Sequence, residues 1–453
     1  MFNLKKKPLV TALMLALAGG MGTANAGTFI QCPGDINNDG KSDIPVLVDE
    51  NDPSQGVRDI KCMHITGSDG FITMADEADI DGDARDGRRL YMFGFADVTG
   101  VPSEKVIDAG TLAANFSAPT IVLEQEQEFY LTMSNTGMQI RPDLFDPHTV
   151  HFHGFPNASD IFDGLPEATI SINQGASLTY YYNVKEPGTH MYHCHVEATE
   201  HMQMGMLGNL YVHALQDKTG IGGTVGAPDS VTQSPRFGGS GPLGYVFNDG
   251  DGATAYDVEV PIQIGSFDGE FHQASEDVQP LPFADMLDKY PMLNGRGYPD
   301  SANPATFDFE PTPGSGANPG NSGVVDQVAA FGTSTLTSSQ PVSSHIEVAQ
   351  GNRLLLRISN LNITNFYTLT ANGLTMKVVG TGARILRGGG EASGIDMSYE
   401  TSSVTLGGGE AVEAIIDTTD VEKGTYFLYT TNLNFLSNDG EDYGGMMTEI
   451  EII

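Results

Sequence analysis

Basic residues are scarce in this sequence, with 22 lysines and arginines against 58 aspartates and glutamates in 453 residues. The formal net charge is −36, which makes nucleic acid and anionic membranes poor partners. An acidic surface attracts metal cations or a basic redox protein, although it also serves simply to keep a protein soluble.

Long apolar runs are missing beyond the N-terminus. Three lysines at 5–7, an apolar run over 9–18 and the tripeptide Ala24-Asn25-Ala26 follow one another as in a secretory signal peptide, here residues 1–26. No later stretch approaches the ~20 apolar residues that a transmembrane helix requires. We therefore expect a periplasmic or extracellular protein without a membrane-spanning segment.

Cysteine is also rare. With three cysteines in an exported protein, one thiol stays free when the other two form a disulfide. Cys32 and Cys62 are the natural pair near the N-terminus. Cys194 is then the free cysteine, and it lies between two histidines.

Extended helical periodicity is absent, whereas glycine is abundant and strand-like segments are short, which predicts an all-β protein. The length favours two domains. A surface loop is expected over about 299–339, where glycine, proline, asparagine and serine dominate. The predicted division is a signal peptide (1–26), an acidic N-terminal extension with the start of the first domain (27–110), a first domain (111–215), a linker (216–252) and a second domain (253–453).

Two aspartate clusters lie in the N-terminal extension, Asp35 to Asp43 and Asp79 to Asp86. Oxygen ligands at alternate positions around a glycine are what a calcium-binding loop requires. However, Val46 stands where the last carboxylate of an EF-hand-like loop would be. Calcium and a purely solvated acidic loop therefore both stay open.

Histidine is the informative residue type. Only eleven are present, yet seven fall in two short clusters around Cys194, at 148, 151, 153, 190, 193, 195 and 201. Such a grouping predicts a metal site. Outside the proposed ligand sets, His64, His190, His213, His272 and His345 stand alone and are interpreted as structural, as are Met202 and Met204, which are expected to pack in the protein.

Strand geometry divides the predicted ligands into two sets, because side chains alternate between the faces of a strand. His148 and Cys194 point away from their neighbouring histidines, and with His201 and a methionine they form the ligand set of a blue copper site. The other face gathers four imidazoles for a second, catalytic copper site: His151, His153, His193 and His195. Peptide bonds join Cys194 directly to His193 and His195, so Cys194 offers an electron path between the two sites.

These motifs resemble those of multicopper oxidases, the family of laccases and metal oxidases that includes two-domain forms. The matching segments are His148-x-x-His151-x-His153 and His193-Cys194-His195 with His201 and Met206, and weaker similarity covers about 110–453. The resemblance implies two cupredoxin-like Greek-key β-sandwich domains and an oxidoreductase that takes electrons from a small molecule or metal ion and reduces oxygen. It further implies a possible homotrimer.

The resemblance also implies roles for single residues. Its type 1 copper ligands would be His148, Cys194, His201 and Met206, while the four remaining clustered histidines would serve type 2 and type 3 copper. Cys194 would carry electrons. Asp163 matches a carboxylate that relays protons, although an aspartate before Gly164 is also an ordinary turn residue.

The second domain departs from the family pattern. A complete trinuclear cluster needs eight histidines, and the segments 365–373 and 429–432, where more are expected, contain none. Three functions remain open: an oxidase with an unusual copper cluster, an enzyme similar to copper nitrite reductases that uses His272 or His345 of a neighbouring subunit, and a non-enzymatic carrier with type 1 copper alone. We favour the oxidase, because both His-x-His pairs of the first domain are intact.

Overall fold

Antiparallel and mixed β-sheets are the predominant regular structure of the protein in a computed structural model. The structure describes residues 28–75, 89–155, 159–230, 232–304, 339–390, 393–439, 441–442 and 444–453. The predicted signal peptide, the Asp79–Asp86 cluster and nearly all of the predicted loop at 299–339 lie outside these residues. The all-β prediction is confirmed. Among the described helices, none is long and apolar enough to cross a membrane.

The first sandwich consists of two four-stranded sheets. Its strands are β1 (Ile60–Thr73), β2 (Arg89–Asp97), β3 (Ala118–Glu124), β4 (Glu128–Gly137), β5 (His151–His153), β6 (Ser177–Asn183), β7 (Gly188–His193) and β8 (Leu207–His213). One sheet has the order β2-β1-β4-β6 and the other the order β3-β8-β7-β5. Buried aliphatic and aromatic side chains, such as Leu131, Tyr180 and Tyr192, fill the space between the sheets.

The second sandwich pairs a seven-stranded sheet with a five-stranded one. Its strands are β11 (Val258–Phe267), β12 (Tyr290–Leu293), β13 (Ile346–Val348), β14 (Arg353–Asn360), β15 (Tyr367–Ala371), β16 (Met376–Thr381), β17 (Arg384–Ile385), β18 (Tyr399–Thr401), β19 (Ser403–Leu406), β20 (Glu410–Asp417), β21 (Gly424–Thr430) and β22 (Met447–Ile452). The smaller sheet has the order β13-β22-β21-β15-β19. In β22 the burial alternates, with Thr448, Ile450 and Ile452 facing the core.

Short helices and a two-stranded sheet accompany the strands of the two sandwiches. Four helices are described: α1 (Val106–Gly110), α2 (Ala198–Gln203), α3 (Gln216–Thr219) and α4 (Gly269–Glu276). The segment 216–252 carries α3 and strand β9 (Gly244–Tyr245), which pairs with β10 (Ala255–Tyr256). Its Val246 and Phe247 are buried together with Leu355 and Ile415 of the second sandwich, so this segment is packed against that domain.

The interface between the sandwiches contains buried charges. Arg357 of β14 is fully buried, and its Nε lies 3.0 Å from Glu259 Oε2. His213 of β8 bridges the domains, because its two ring nitrogens lie 3.0 Å from Glu124 and 2.9 Å from Glu259. Burial opposes ionisation of Glu259, but Arg357 and His213 hold the pKa of this carboxyl below its ordinary value.

The N-terminal segment is held to the first sandwich by the predicted disulfide between Cys32 and Cys62. Cys194 is the free, buried cysteine, as expected. In the acidic loop, Asp35 accepts hydrogen bonds from the main-chain N–H groups of residues 37–40. These bonds account for the turn, and calcium binding and a solvated acidic loop both stay open.

Candidate metal centre

The first ligand set lies in the core of the first sandwich. His148 precedes β5, Cys194 follows β7, and His201 lies on α2, and all three are buried. Cys194 Sγ is 3.2 Å from His201 Nδ1 and 3.9 Å from His148 Nδ1. The ligand atoms of the three residues all lie within 4.8 Å of one another, which is compatible with a single metal ion.

Main-chain hydrogen bonds connect Met206 to two residues of the first ligand set. Its N–H donates to the His201 carbonyl over 2.8 Å, and its own carbonyl accepts from the Cys194 N–H over 3.1 Å. The Met206 side chain is fully buried, and its methyl group lies beside Gly67 of β1. A cysteine, two histidines and a nearby methionine are the donor set of a blue copper site.

The histidines of this set present Nδ1 toward the sulfur. The Nε2 atom of His148 is buried without a hydrogen-bond partner among the described residues. Burial lowers the pKa of His148 well below the ordinary value, which favours the neutral imidazole that binds metal. Burial would also lower the pKa of His201, but Cys194 and Asp146 raise it to about 10.

The second ligand set lies at the paired ends of β5 and β7. His151 is directly opposite His193 in the antiparallel register, and His153 Nε2 lies 3.1 Å from His193 Nε2. Phe152 points the opposite way, into the core. A ligand atom from each of these three histidines lies within 4.8 Å of the others.

Main-chain groups hydrogen-bond each of the three imidazoles, and in His151 and His193 the bonded ring atom is Nδ1. His151 Nδ1 is 2.5 Å from the Asp163 carbonyl, His193 Nδ1 is 2.7 Å from the Cys194 carbonyl, and His153 bonds the main chain of Gly409. Such bonds leave Nε2 free for a metal. Burial lowers the pKa of His153 and lowers that of His193 to about 3, so both are neutral near pH 7.

His195 and Asp163 occupy the edge of this second set. The His195 ring lies 5.0 Å from that of His151 and 5.4 Å from that of His193. However, His195 is not part of the group in which ligand atoms of His151, His153 and His193 lie within 4.8 Å of one another. The Asp163 carboxylate oxygen is 3.8 Å from His151 Nδ1. Asp163 also ends a 3-10 turn before Gly164, whose φ is +80°. Its position therefore fits both a carboxylate that relays protons and an ordinary turn residue.

The second domain approaches the histidines through its main chain. The turn between β19 and β20 brings Gly409 against His153, and a Cβ at Gly409 would lie 3.1 Å from the His153 ring. Among the described residues, no histidine of the second domain belongs to either ligand group. The described part of the second domain therefore supplies no histidine ligand in the folded protein, just as its sequence lacks the expected histidine pairs.

Two acidic residues lie beside the first ligand set, and sequence analysis missed them. Asp146, Glu197 and His201 form a further group of potential ligands, and Asp146 Oδ2 is 3.7 Å from His201 Nε2. Asp146 is largely buried, with 14% of its side chain exposed, whereas Glu197 is exposed. No spacing pattern links these residues, because Asp146 lies on a different segment from α2.

Three further histidines, His64, His190 and His272, have structural partners. The ring nitrogens of His272 face the carbonyls of Tyr91 and Gln203, and those of His190 face the carbonyls of His153 and Glu186. His64 bonds Ser134 over 2.8 Å. Met204 is buried in the core and Met202 packs at its edge, as predicted.

Comparisons with known proteins agree with this geometry. Multicopper oxidase domain families match residues 99–217 and 292–447, which together are more than half of the chain. The chain belongs to the multicopper oxidase family. This membership implies copper as the metal and oxidoreduction as the class of chemistry, and it confirms the family predicted from the histidine motifs.

Individual relatives are distant. A 53-residue stretch is 43% identical to multicopper oxidase MmcO of Mycobacterium tuberculosis, and this match spans 12% of the chain and 10% of that protein. A blue copper oxidase from Nitrosomonas europaea has a TM-score of 0.51 at 17% identity, over 87% of this chain and 86% of that one. Another solved multicopper oxidase has a TM-score of 0.50 at 15% identity, over 94% and 97% of the two chains. These likenesses confirm the predicted cupredoxin-type fold.

Proposed function

We propose that this multicopper oxidase takes single electrons from a reduced metal ion at a type 1 copper and delivers them to oxygen at copper held by the second histidine set. The observation that carries this proposal is the chain continuity of the two sets. Cys194 belongs to the first set, while its neighbour His193 belongs to the second, and the two side chains extend to different sites.

Copper, when bound, would supply the one-electron chemistry, and the protein would supply ligands, orientation and protection from water. The proposed type 1 ligands are His148, Cys194, His201 and Met206. The three ligands other than the methionine are buried and lie close together, so the fold itself holds them near one point. The proposed ligands of the oxygen-reducing copper are His151, His153 and His193, with His195 beside them.

The carboxylates beside the first ligand set favour a metal ion as the electron donor. Asp146 and Glu197 lie at His201, and carboxylates bind cations. A cation at this position would be separated from the type 1 site by a single imidazole. A neutral phenol carries no charge for these carboxylates to attract and can only donate a hydrogen bond to them, so it is the less favoured donor.

The alternatives predict different ligands. A carrier with type 1 copper alone has no use for three imidazoles whose ring nitrogens converge, and that convergence favours the oxidase. A site similar to that of copper nitrite reductases needs a histidine from a neighbouring subunit. His272 does not suit this role, because both its ring nitrogens face main-chain carbonyls, which leaves His345. Export, oxygen reduction and a homotrimer all remain part of the proposal.

Oxygen consumption with different donors tests this function. The copper-loaded protein should consume oxygen with Fe²⁺ or Cu⁺, and the Asp146→Asn/Glu197→Gln variant should lose at least about tenfold in kcat/KM for the cation, which is about 1.4 kcal/mol of transition-state binding. Its activity toward a neutral phenol should change little. Glu104→Gln/Glu400→Gln, which removes two negative charges from exposed sites, is the matched control. Equal losses for both donors would contradict a cation site, and absence of oxygen consumption with every donor would contradict the oxidase.

A further inference from the structure

A fourth group of potential metal ligands lies on the outer face of the five-stranded sheet, far from the copper ligands in sequence. Strands β13 and β22 are parallel neighbours, with Ile346 opposite Ile450. Because side chains alternate, these isoleucines face the core while the flanking residues face outward. The outward group comprises His345, Glu347, Glu449 and Glu451.

Three of these residues converge on one point. Ligand atoms of His345, Glu449 and Glu451 all lie within 4.8 Å of one another, and His345 Nε2 is 3.9 Å from a Glu451 oxygen. His345 is mostly buried, with 17% of its side chain exposed, and its Nδ1 atom has no hydrogen-bond partner among the described residues. Tyr298 donates a hydrogen bond of 3.0 Å to Glu449, which orients this carboxylate.

The charges around this group are unbalanced. Glu347 lies directly opposite Glu451 across the two strands, and like charges at such positions destabilise a sheet. On the other side of β22, the register places Thr425 opposite Glu451 and Phe427 opposite Glu449. Within the described part of the chain, no lysine or arginine forms an ion pair with these three glutamates. A bound cation would relieve this repulsion.

We propose that His345, Glu449 and Glu451 bind a divalent first-row transition-metal cation at a site separate from both copper ligand sets. One imidazole with two carboxylates is a donor set for Zn²⁺ and related ions, whereas calcium and magnesium sites are built from oxygen alone. Glu347 adds negative charge beside the site. The bound cation would connect β13 to β22 and thereby stabilise the edge of the sheet.

Zinc binding to the copper-loaded protein tests this site independently of the proposed oxidase activity. Copper is supplied in no more than the amount that the two copper ligand sets bind, because excess Cu²⁺ would also outcompete zinc at His345. Copper binds nitrogen and sulfur ligands more tightly than zinc, so the two copper ligand sets stay filled. The wild-type protein should retain one zinc ion per chain after gel filtration, and zinc should raise its thermal midpoint. His345→Gln should weaken binding at least about tenfold, and Glu449→Gln/Glu451→Gln should abolish it, since even indirect ligand changes cost about 10–100-fold in affinity.

The control is Glu400→Gln/Glu422→Gln, which makes the same charge change at exposed positions of the second domain. It should bind zinc as the wild type does. Retained blue absorption shows in each case that the variant is folded. Zinc binding that is equal in the wild type and both site variants, or absent from the wild type, would overturn the proposal, whatever the oxidase assays show.

Discussion

Gly67→Ala should disturb the proposed type 1 site without changing any proposed ligand. Gly67 lies on β1, against the site, and a Cβ there would be 2.6 Å from the methyl group of Met133 and 2.8 Å from the His148 ring. Ordinary contacts begin near 3.4 Å. The Met133 methyl would therefore have to move by about 0.8 Å and the His148 ring by about 0.6 Å.

The two movements differ in cost. The Met133 methyl is the end of a flexible side chain, but the His148 main chain is bonded to Ile172 on both its N–H and its carbonyl. Overpacking of this kind costs about 1–3 kcal/mol. The expected results are a shifted blue absorption band and a lower denaturant midpoint when unfolding is followed by that band.

Gly70→Ala on the same strand is the matched control. A Cβ at Gly70 would lie 3.1 Å from its nearest neighbour, the Ala114 side chain, and no copper ligand is among its nearest contacts. This variant should keep the wild-type spectrum and lose less than about 1 kcal/mol. An unchanged spectrum and an unchanged midpoint in Gly67→Ala would refute the packing of His148 against β1.

Three further predictions address the ligands and the interface. Cys194→Ser should abolish the blue colour completely, because the intense absorption requires a copper–thiolate bond, and a variant that stays blue would disprove the ligand assignment. His151→Ala/His153→Ala should keep the colour and lose more than about 100-fold in turnover, measured as oxygen consumption, whereas unchanged turnover would exclude the second site. Burial opposes the charge on His213, but Glu124 and Glu259 raise its pKa, so its protonated form stabilises the folded state below about pH 6.5 and this contribution is lost as pH rises through the raised pKa. His213→Gln should therefore lose about 2–3 kcal/mol at pH 6 and less at pH 9, measured by chemical unfolding, and a loss independent of pH would contradict this reasoning.

The sequence allowed much of the site to be predicted because its signals are local. Alternation along a strand separated Cys194 from the flanking histidines, and the structure has two corresponding groups of ligands. The pairing of Cys32 with Cys62 followed from counting cysteines in an exported protein. The all-β fold followed from short strand-like segments between glycine-rich turns.

Other features depend on contacts between segments that are distant in sequence. Gly67 touches His148 because β1 lies in the sheet opposite β5, and no local pattern marks this approach. Asp146 meets His201, and His345 meets Glu451, only after α2 and β13 are placed by the fold. The interface charges of Arg357 and Glu259 likewise lie on neighbouring strands that no motif connects.

Copper content per chain, measured together with the EPR spectrum of the copper-loaded protein, tests the central claim most directly. The two ligand sets predict at least two copper ions per chain, with a type 1 signal and either an added type 2 signal or EPR-silent coupled copper. Cys194→Ser should remove the type 1 signal and leave the copper of the second set. A single copper ion with only a type 1 signal would contradict the account and would favour an electron carrier or copper-handling protein.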